Sequence, residues 1–416
     1  VVLNPLTTRR REANNHDLPT YAEAAPSPFL AMIERDLRPS EPAILGLLRP
    51  ASTGVLGGSP ARTGLLWALE GLAWAPDTMP RVARILSRLA QVEISDNWAS
   101  KPINSLKAIF SSWMPQTAAD QAQRLSDLNL IVREYPDIAW KICISEINTG
   151  ARSGTYSHKQ NWRADGYGFG QPLPTWGPIL EFIHELIELV LAWPGHTRGM
   201  LGDLIDSVGY MDAASQKRGW GLVDAFSKER ATDEDKAELR EKVRVTVLSR
   251  RAARHLHPSN RRQLTRLARK AYAALEPSDV MNRHAWLFLE TTVEESADER
   301  EDAELDFRGR EARISALRVA ALREVIAARG TAGVIEMARR GNAAWVVGWL
   351  LARELTSLID APSFIVSAFR ARPVSDSWSE RSLIVGMLRA ISSDEERTNL
   401  LKDVASELSP SDFVQV

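Results

Sequence analysis

One cysteine, Cys143, stands among 416 residues, so no disulfide can close within the chain. Its setting, Ile142-Cys-Ile144, reads as a small buried hydrophobe, and such cysteine usage favours a cytoplasmic address. No apolar run approaches the roughly 20 residues that a membrane-spanning helix needs. No charged-then-apolar stretch opens the chain as a secretory signal would, so it reads as soluble and unsecreted. Net charge is nearly absent too. Lys and Arg number 52 against 53 Asp and Glu, leaving −1 at pH 7. That balance removes any whole-molecule case for nucleic acid or an anionic membrane and leaves only local patches.

Chemical motifs are equally scarce. No Gly-x-x-x-x-Gly-Lys-Ser/Thr occurs, which excludes a P-loop. The run Gly166-Tyr-Gly-Phe-Gly170 follows no strand and lacks the third glycine at dinucleotide spacing. No Gly-x-Ser-x-Gly elbow is found. There are seven histidines, and the closest pair is His255-Leu-His257. Glu181-x-x-His184 resembles half of a di-iron site, but the second copy is missing, so a solvated polar face explains it better. No nucleophile, base pair or metal set assembles; the segment reads as non-enzymatic, with no cofactor.

What is present is helical periodicity. Thr63-Gly-Leu-Leu-Trp-Ala-Leu-Glu-Gly-Leu-Ala-Trp-Ala-Pro76 puts Leu66, Leu69, Leu72 and Ala73 on one face and ends in an aromatic residue followed by proline. The pattern returns at Leu106, Ile109, Phe110 and Trp113 before Pro115, and at Leu191-Ala-Trp-Pro194. Each stop is followed by a second amphipathic helix, and serial αα-hairpins without strands make a solenoid. The expected fold is all-α, an α-solenoid of stacked helical hairpins like those of TPR or HEAT arrays. Residues 1–26, poor in apolar anchors, read as a flexible arm. Residues 27–147 form an N-terminal array and 176–416 a C-terminal one, and a glycine and aromatic loop at 148–175 separates them. Trp98 is expected to plug a gap between hairpins, and Thr117 to cap the helix after it. Residues 220–226 read as a short helix. Val243-Arg-Val-Thr-Val247 alternates like a strand but stays helical, because a lone strand would have no partner. Gly330 and Gly341 read as helix stops.

Two stretches stand out as binding surfaces. The 148–175 loop carries Tyr156, Trp162, Tyr167 and Phe169 among five glycines; a segment of this length without periodicity is either functional or an unstructured spacer. Between Lys242 and Leu275 no acidic residue occurs, while Arg250, Arg251, Arg254, Arg262, Arg266 and Arg269 accumulate. Arg262, Arg266 and Arg269 share a helical face that suits phosphates or an acidic protein. The acidic block 294–306 offers an internal partner instead. Of the 13 tryptophans, Trp67, Trp74, Trp113, Trp140, Trp193, Trp345 and Trp349 sit where interhelical packing explains them. Trp162, Trp176 and Trp378 are candidate partner anchors.

Ala24-Ala-Pro-Ser-Pro-Phe-Leu30, Gly64-Leu-Leu-Trp-Ala-Leu-Glu-Gly-Leu-Ala-Trp74, Asn97-Trp-Ala-Ser-Lys-Pro-Ile-Asn-Ser-Leu-Lys-Ala-Ile-Phe110 and Trp113-Met-Pro-Gln-Thr117 resemble the helical-repeat region of large bacterial antiphage defence proteins. The similarity is best over residues 24–145 and rests on packing motifs. In those proteins an effector with a STAND-type NTPase, or a sirtuin-like effector, precedes a TPR-like array. The resemblance implies a sensor or scaffold that binds a protein ligand and controls an attached effector; it transfers no catalytic residue. The alternative is a nucleic-acid-binding module using the basic 242–275 face. An opening without methionine and a capped helix start at Ser409-Pro-Ser-Asp412 are what a segment of a longer polypeptide would show.

Overall fold

A computed structural model describes residues 15–49, 60–148, 156–249, 252, 258–293, 307–371 and 378–414. The expectations placed on residues 1–14, on Arg250, Arg251 and Arg254, and on the acidic block 294–306 lie outside them. The fold is all-α, with no strand among the described residues. None of their helices is long and apolar enough to cross a membrane. The chain divides into two compact units, Val1–Gly195 and His196–Val416.

In the first unit the helices are α1 (Leu18–Ala24), α2 (Pro26–Asp36), α3 (Thr63–Ala73), α4 (Met79–Ala90), α5 (Pro102–Ile109), α6 (Gln121–Glu134), α7 (Pro136–Ile147) and α8 (Trp176–Leu191). Proline punctuates them. α1, α2, α4, α5 and α7 carry it in the first turn, where its fixed φ suits the helix and its missing N–H is no loss. Helices pack on their near neighbours: α3 on α4 and α5, α4 on α5 and α6, α7 on α6 and α8. α4 buries Val82, Ile85, Leu86 and Leu89, positions three and four apart that form one stripe. Its opposite side carries Arg81, which grips Glu34 of α2 through two bonds of 2.8 and 2.7 Å, and Arg84, which pairs with Glu134 of α6. Arg62, fully buried, donates to Asp96 at 2.6 Å and to the carbonyls of Arg49 and Ser100. It ties the connector between α4 and α5 to the start of α3.

Several expectations are corrected here. The arm ends earlier than residue 26: Leu18 and Ala22 are buried where α1 packs on α3, and the Gly64 amide donates to Asn15 Oδ1 at 3.0 Å. Trp98 is not buried between hairpins as expected; it is 45% exposed. Asp120, not Thr117, caps α6, accepting from the Gln123 amide at 2.8 Å. The boundary expected at 175 falls one helix later. Phe182 of α8 lies under the Arg124 guanidinium at 4.4 Å, and Trp193 meets Trp140 edge-on at 5.3 Å. These contacts fix α8 to α6 and α7. Arg124, 3% exposed, donates to the Ser111 carbonyl, and desolvation pulls its pKa down to about 10.

The second unit holds α9 (Arg198–Ser207), α10 (Ala213–Glu229), α11 (Asp233–Val243), α12 (Pro258–Ala274), α13 (Val280–His284), α14 (Phe307–Arg339), α15 (Ala344–Glu354), α16 (Ala361–Ala371), α17 (Trp378–Ala390), α18 (Asp394–Glu407) and α19 (Pro410–Phe413). α10 is longer than its apolar periodicity shows, because Asp212 caps it through the Ala214 and Ser215 amides ahead of the first buried aromatic. α11 opens with a capping box between Thr232 and Asp235. It runs into a π turn at Arg244–Leu248, where the strand-like alternation lies. α14 is two helices broken at Gly330, whose φ of 63° is left-handed.

α15 and α17 approach each other closely through their backbones. A Cβ on Gly348 would collide with the Leu383 carbonyl oxygen, and one on Gly386 with that of Trp345. The two backbones meet because both positions lack a side chain. Alanine normally stabilises a helix by about 1 kcal/mol over glycine, so the sign of Gly348→Ala separates local propensity from packing. Urea denaturation should show a loss of about 3 kcal/mol. Unchanged or higher stability would contradict the contact.

Candidate partner-binding surface

Trp67, Glu70 and Gly71 lie on one face of α3, and Trp74 continues it just past the helix end. Residues 156–173 cross that face as an ordered strap. Trp67 stacks on the His158 imidazole, with centroids 5.4 Å apart and planes 11° from parallel. Glu70 accepts from the His158 amide at 2.9 Å and from Ser105 Oγ at 2.6 Å. The Gln160 side-chain amide donates to the Gly71 carbonyl. Trp74, fully buried, donates from Nε1 to the His158 carbonyl at 2.8 Å. Its ring supports the rest of the strap: Lys159 Nζ sits 4.6 Å above it and donates to the carbonyls of Gly166 and Phe169 at 3.0 and 2.7 Å. A Cβ on Gly166 would lie 2.9 Å from the indole, and Gly170 combines the same closeness with a φ of 80°. Glycine is required at both.

Other elements lace the edges. The Glu23 carboxylate, 6% exposed, takes the amides of Asn161 and Trp162, each at 2.8 Å. Gln116 accepts from the Ser157 amide at 3.1 Å and donates to the Gly170 carbonyl at 3.2 Å. The Leu173 amide donates to the Trp113 carbonyl at 2.7 Å. Thr117 donates to the Ala73 carbonyl, so the Trp113–Thr117 motif closes the end of α3 as well. Burial raises the Glu70 carboxyl pKa, opposed by its two hydrogen bonds. It lowers that of the His158 imidazole.

The strap's outward side is aromatic. Trp162 is 80% and Tyr167 88% exposed, with Tyr156 also exposed and Phe169 about half so. Arg163 pairs with Asp165 at 2.6 Å beside them. The geometry gathers all four loop aromatics onto one ordered segment. Trp67 and Trp74, read as interhelical packing, are its floor. Glu23, Glu70 and Gln116 were missed; a lone carboxylate beside glycine in an otherwise apolar helix was the available signal at Glu70.

Of the basic set, Arg262, Arg266 and Arg269 sit in the second unit on α12. Leu264, Ala268 and Ala271 face its core, leaving Arg262 and Arg266 exposed and Arg269 half-buried. Among the described residues no carboxylate pairs with Arg262 or Arg266. Glu181, His184 and Glu185 point to solvent from α8. No group of three metal-binding side chains occurs among the described residues. Comparison with protein-family models, curated proteins and solved structures finds no match to this chain.

Removing Glu23 takes the acceptor from two part-buried amides, at a cost of about 1 kcal/mol or more. Glu23→Ala should therefore speed tryptic cleavage after Arg163 at least about tenfold. An unchanged cleavage rate would show that the strap is held without it.

Proposed function

We propose that the chain is a helical-repeat scaffold that binds a protein ligand through the aromatic side of the strap. In the reading that the resemblance favours, it is the sensor module of a larger cytoplasmic bacterial defence protein. Its ligand is then phage-derived, and its binding controls an attached effector and NTPase. One observation carries the proposal: large exposed aromatic side chains stand on a backbone that is anchored at several of its amides and carbonyls. Exposed tryptophan and tyrosine are costly in solvent and are the residues that most often dominate protein interfaces, at about 2 kcal/mol or more each. A fixed loop also spares the partner the ordering cost of about 0.5–1.5 kcal/mol per immobilised side chain.

The second reading, nucleic-acid binding, draws on the exposed Arg262 and Arg266. Both can be separated in one experiment, capture from phage-infected lysate at low and high salt with nuclease-treated controls. Trp162→Ala with Tyr167→Ala should lower capture at least about tenfold, independently of nuclease. Arg262→Ala with Arg266→Ala should leave it intact. Capture unaffected by the aromatic pair, but lost with the arginines or nuclease, would overturn the first reading in favour of the second.

A further inference from the structure

The second unit contains a cleft of about 720 Å³ walled by α11, its π turn, α12 and α13. That volume lies within the range of small-molecule sites. Its charges are unevenly satisfied. Of the acids lining it, Glu241 is committed to Arg244 by two bonds of 2.8 and 2.7 Å, and Glu238 to Arg198 at 2.9 Å. Of the cations, Lys242 meets Asp206 at 2.6 Å and Arg340 meets Glu336 at 2.7 Å, while Arg240 and Arg283 are less closely paired. The nearest carboxylate oxygen to Arg240 belongs to Glu276 at 3.8 Å; Arg283 lies 3.7 Å from Glu276 and 3.6 Å from Glu324 and donates to the carbonyls of Pro277 and Ser278. Arg240 Nε is shielded from solvent and has no acceptor among the described residues. A shielded guanidinium N–H without an acceptor costs about 1–3 kcal/mol, more for a charged group, and an oxyanion entering the cleft would relieve it.

Part of the remaining lining is apolar and aromatic, beside the polar Glu234, Lys242, Asn282 and Arg340. The Arg240 guanidinium lies 4.3 Å over the Tyr272 ring, and Arg244 lies 4.7 Å over Trp286. Trp286 is only partly buried and lines the cleft with Leu289 and Val245. Val245 belongs to the π turn, a helical irregularity that recurs at functional sites. Cations placed over the rings help to hold them in place, and Trp286 still contributes to the cleft wall, where a planar group can pack.

We propose that this cleft binds a nucleoside monophosphate, with the phosphate on Arg240 and Arg283 and the base against Trp286. The two features are needed together: an inorganic anion would leave the apolar wall wet, and a nucleoside would leave Arg240 unsatisfied. The site is independent of the strap.

Calorimetric titration of the full chain with AMP, GMP, CMP and UMP, beside adenosine and inorganic phosphate, tests it. At least one monophosphate should bind saturably, one per chain. Adenosine and phosphate should each bind at least about tenfold more weakly. Arg240→Gln and Trp286→Leu should each weaken the nucleotide at least about tenfold. Arg283→Ala, at the more exposed rim, reports on the phosphate if Arg240→Gln fails to fold by circular dichroism. Absence of saturable heat from all four nucleotides, inorganic phosphate binding as tightly as they do, or affinity unchanged in a folded Arg240 or Arg283 variant would overturn the assignment.

Discussion

The buried indole of Trp74 is the point on which the first unit's functional surface turns. Its N–H has one acceptor, the His158 carbonyl, and its ring admits only glycine at 166 and 170. An indole N–H left unpaired in a protein interior is expensive, so forming the bond and seating the strap are one event. Once His158 is fixed, Glu70 receives its amide and Trp67 its ring. Glu23 and Gln116 then fasten the two margins. The aromatics on the far side gain their definition from this chain of bonds, and a helix whose main work is core packing thereby sets the geometry of the outer surface.

The second unit answers a different constraint. One of its core clusters runs from Met281 to Val404 and includes helices drawn together at Gly348 and Gly386. Several of its arginines sit over aromatic rings, as Arg240 does over Tyr272 and Arg353 over Trp349. Arg318 shows a further use: buried, it donates to the carbonyls of Leu287, Glu290 and Thr291, satisfying the open end of a 3-10 turn that has no helical continuation. Desolvation without a neighbouring carboxylate lowers its pKa. Guanidinium groups here serve packing and backbone termination as much as charge pairing.

Helical class was legible because it rests on local spacing. The stripe of α4 and the stop at Gly330 both follow from a 3.6-residue period and from glycine's tolerance of positive φ. α10 was read too short because its first turns carry Ala, Ser, Gln and Lys, and its start is marked by Asp212 instead of an apolar residue. The strap was visible as an aromatic loop, yet its order was not. Its bonds join residues far apart in sequence, Glu23 to Asn161 across 138 positions and Glu70 to His158 across 88. No periodicity encodes such pairs. The boundary between the units was missed for the same reason: the contacts of Phe182 and Trp193 with α6 and α7 are tertiary.

Hydrogen exchange of the backbone amides of His158, Asn161 and Trp162 tests the central claim most directly, because each donates to a carboxylate that only the seated strap can reach. The account predicts exchange at least about a hundredfold slower than in an unstructured peptide, with the three amides opening together. Exchange at the unstructured rate, while the α3 amides stay protected, would contradict it.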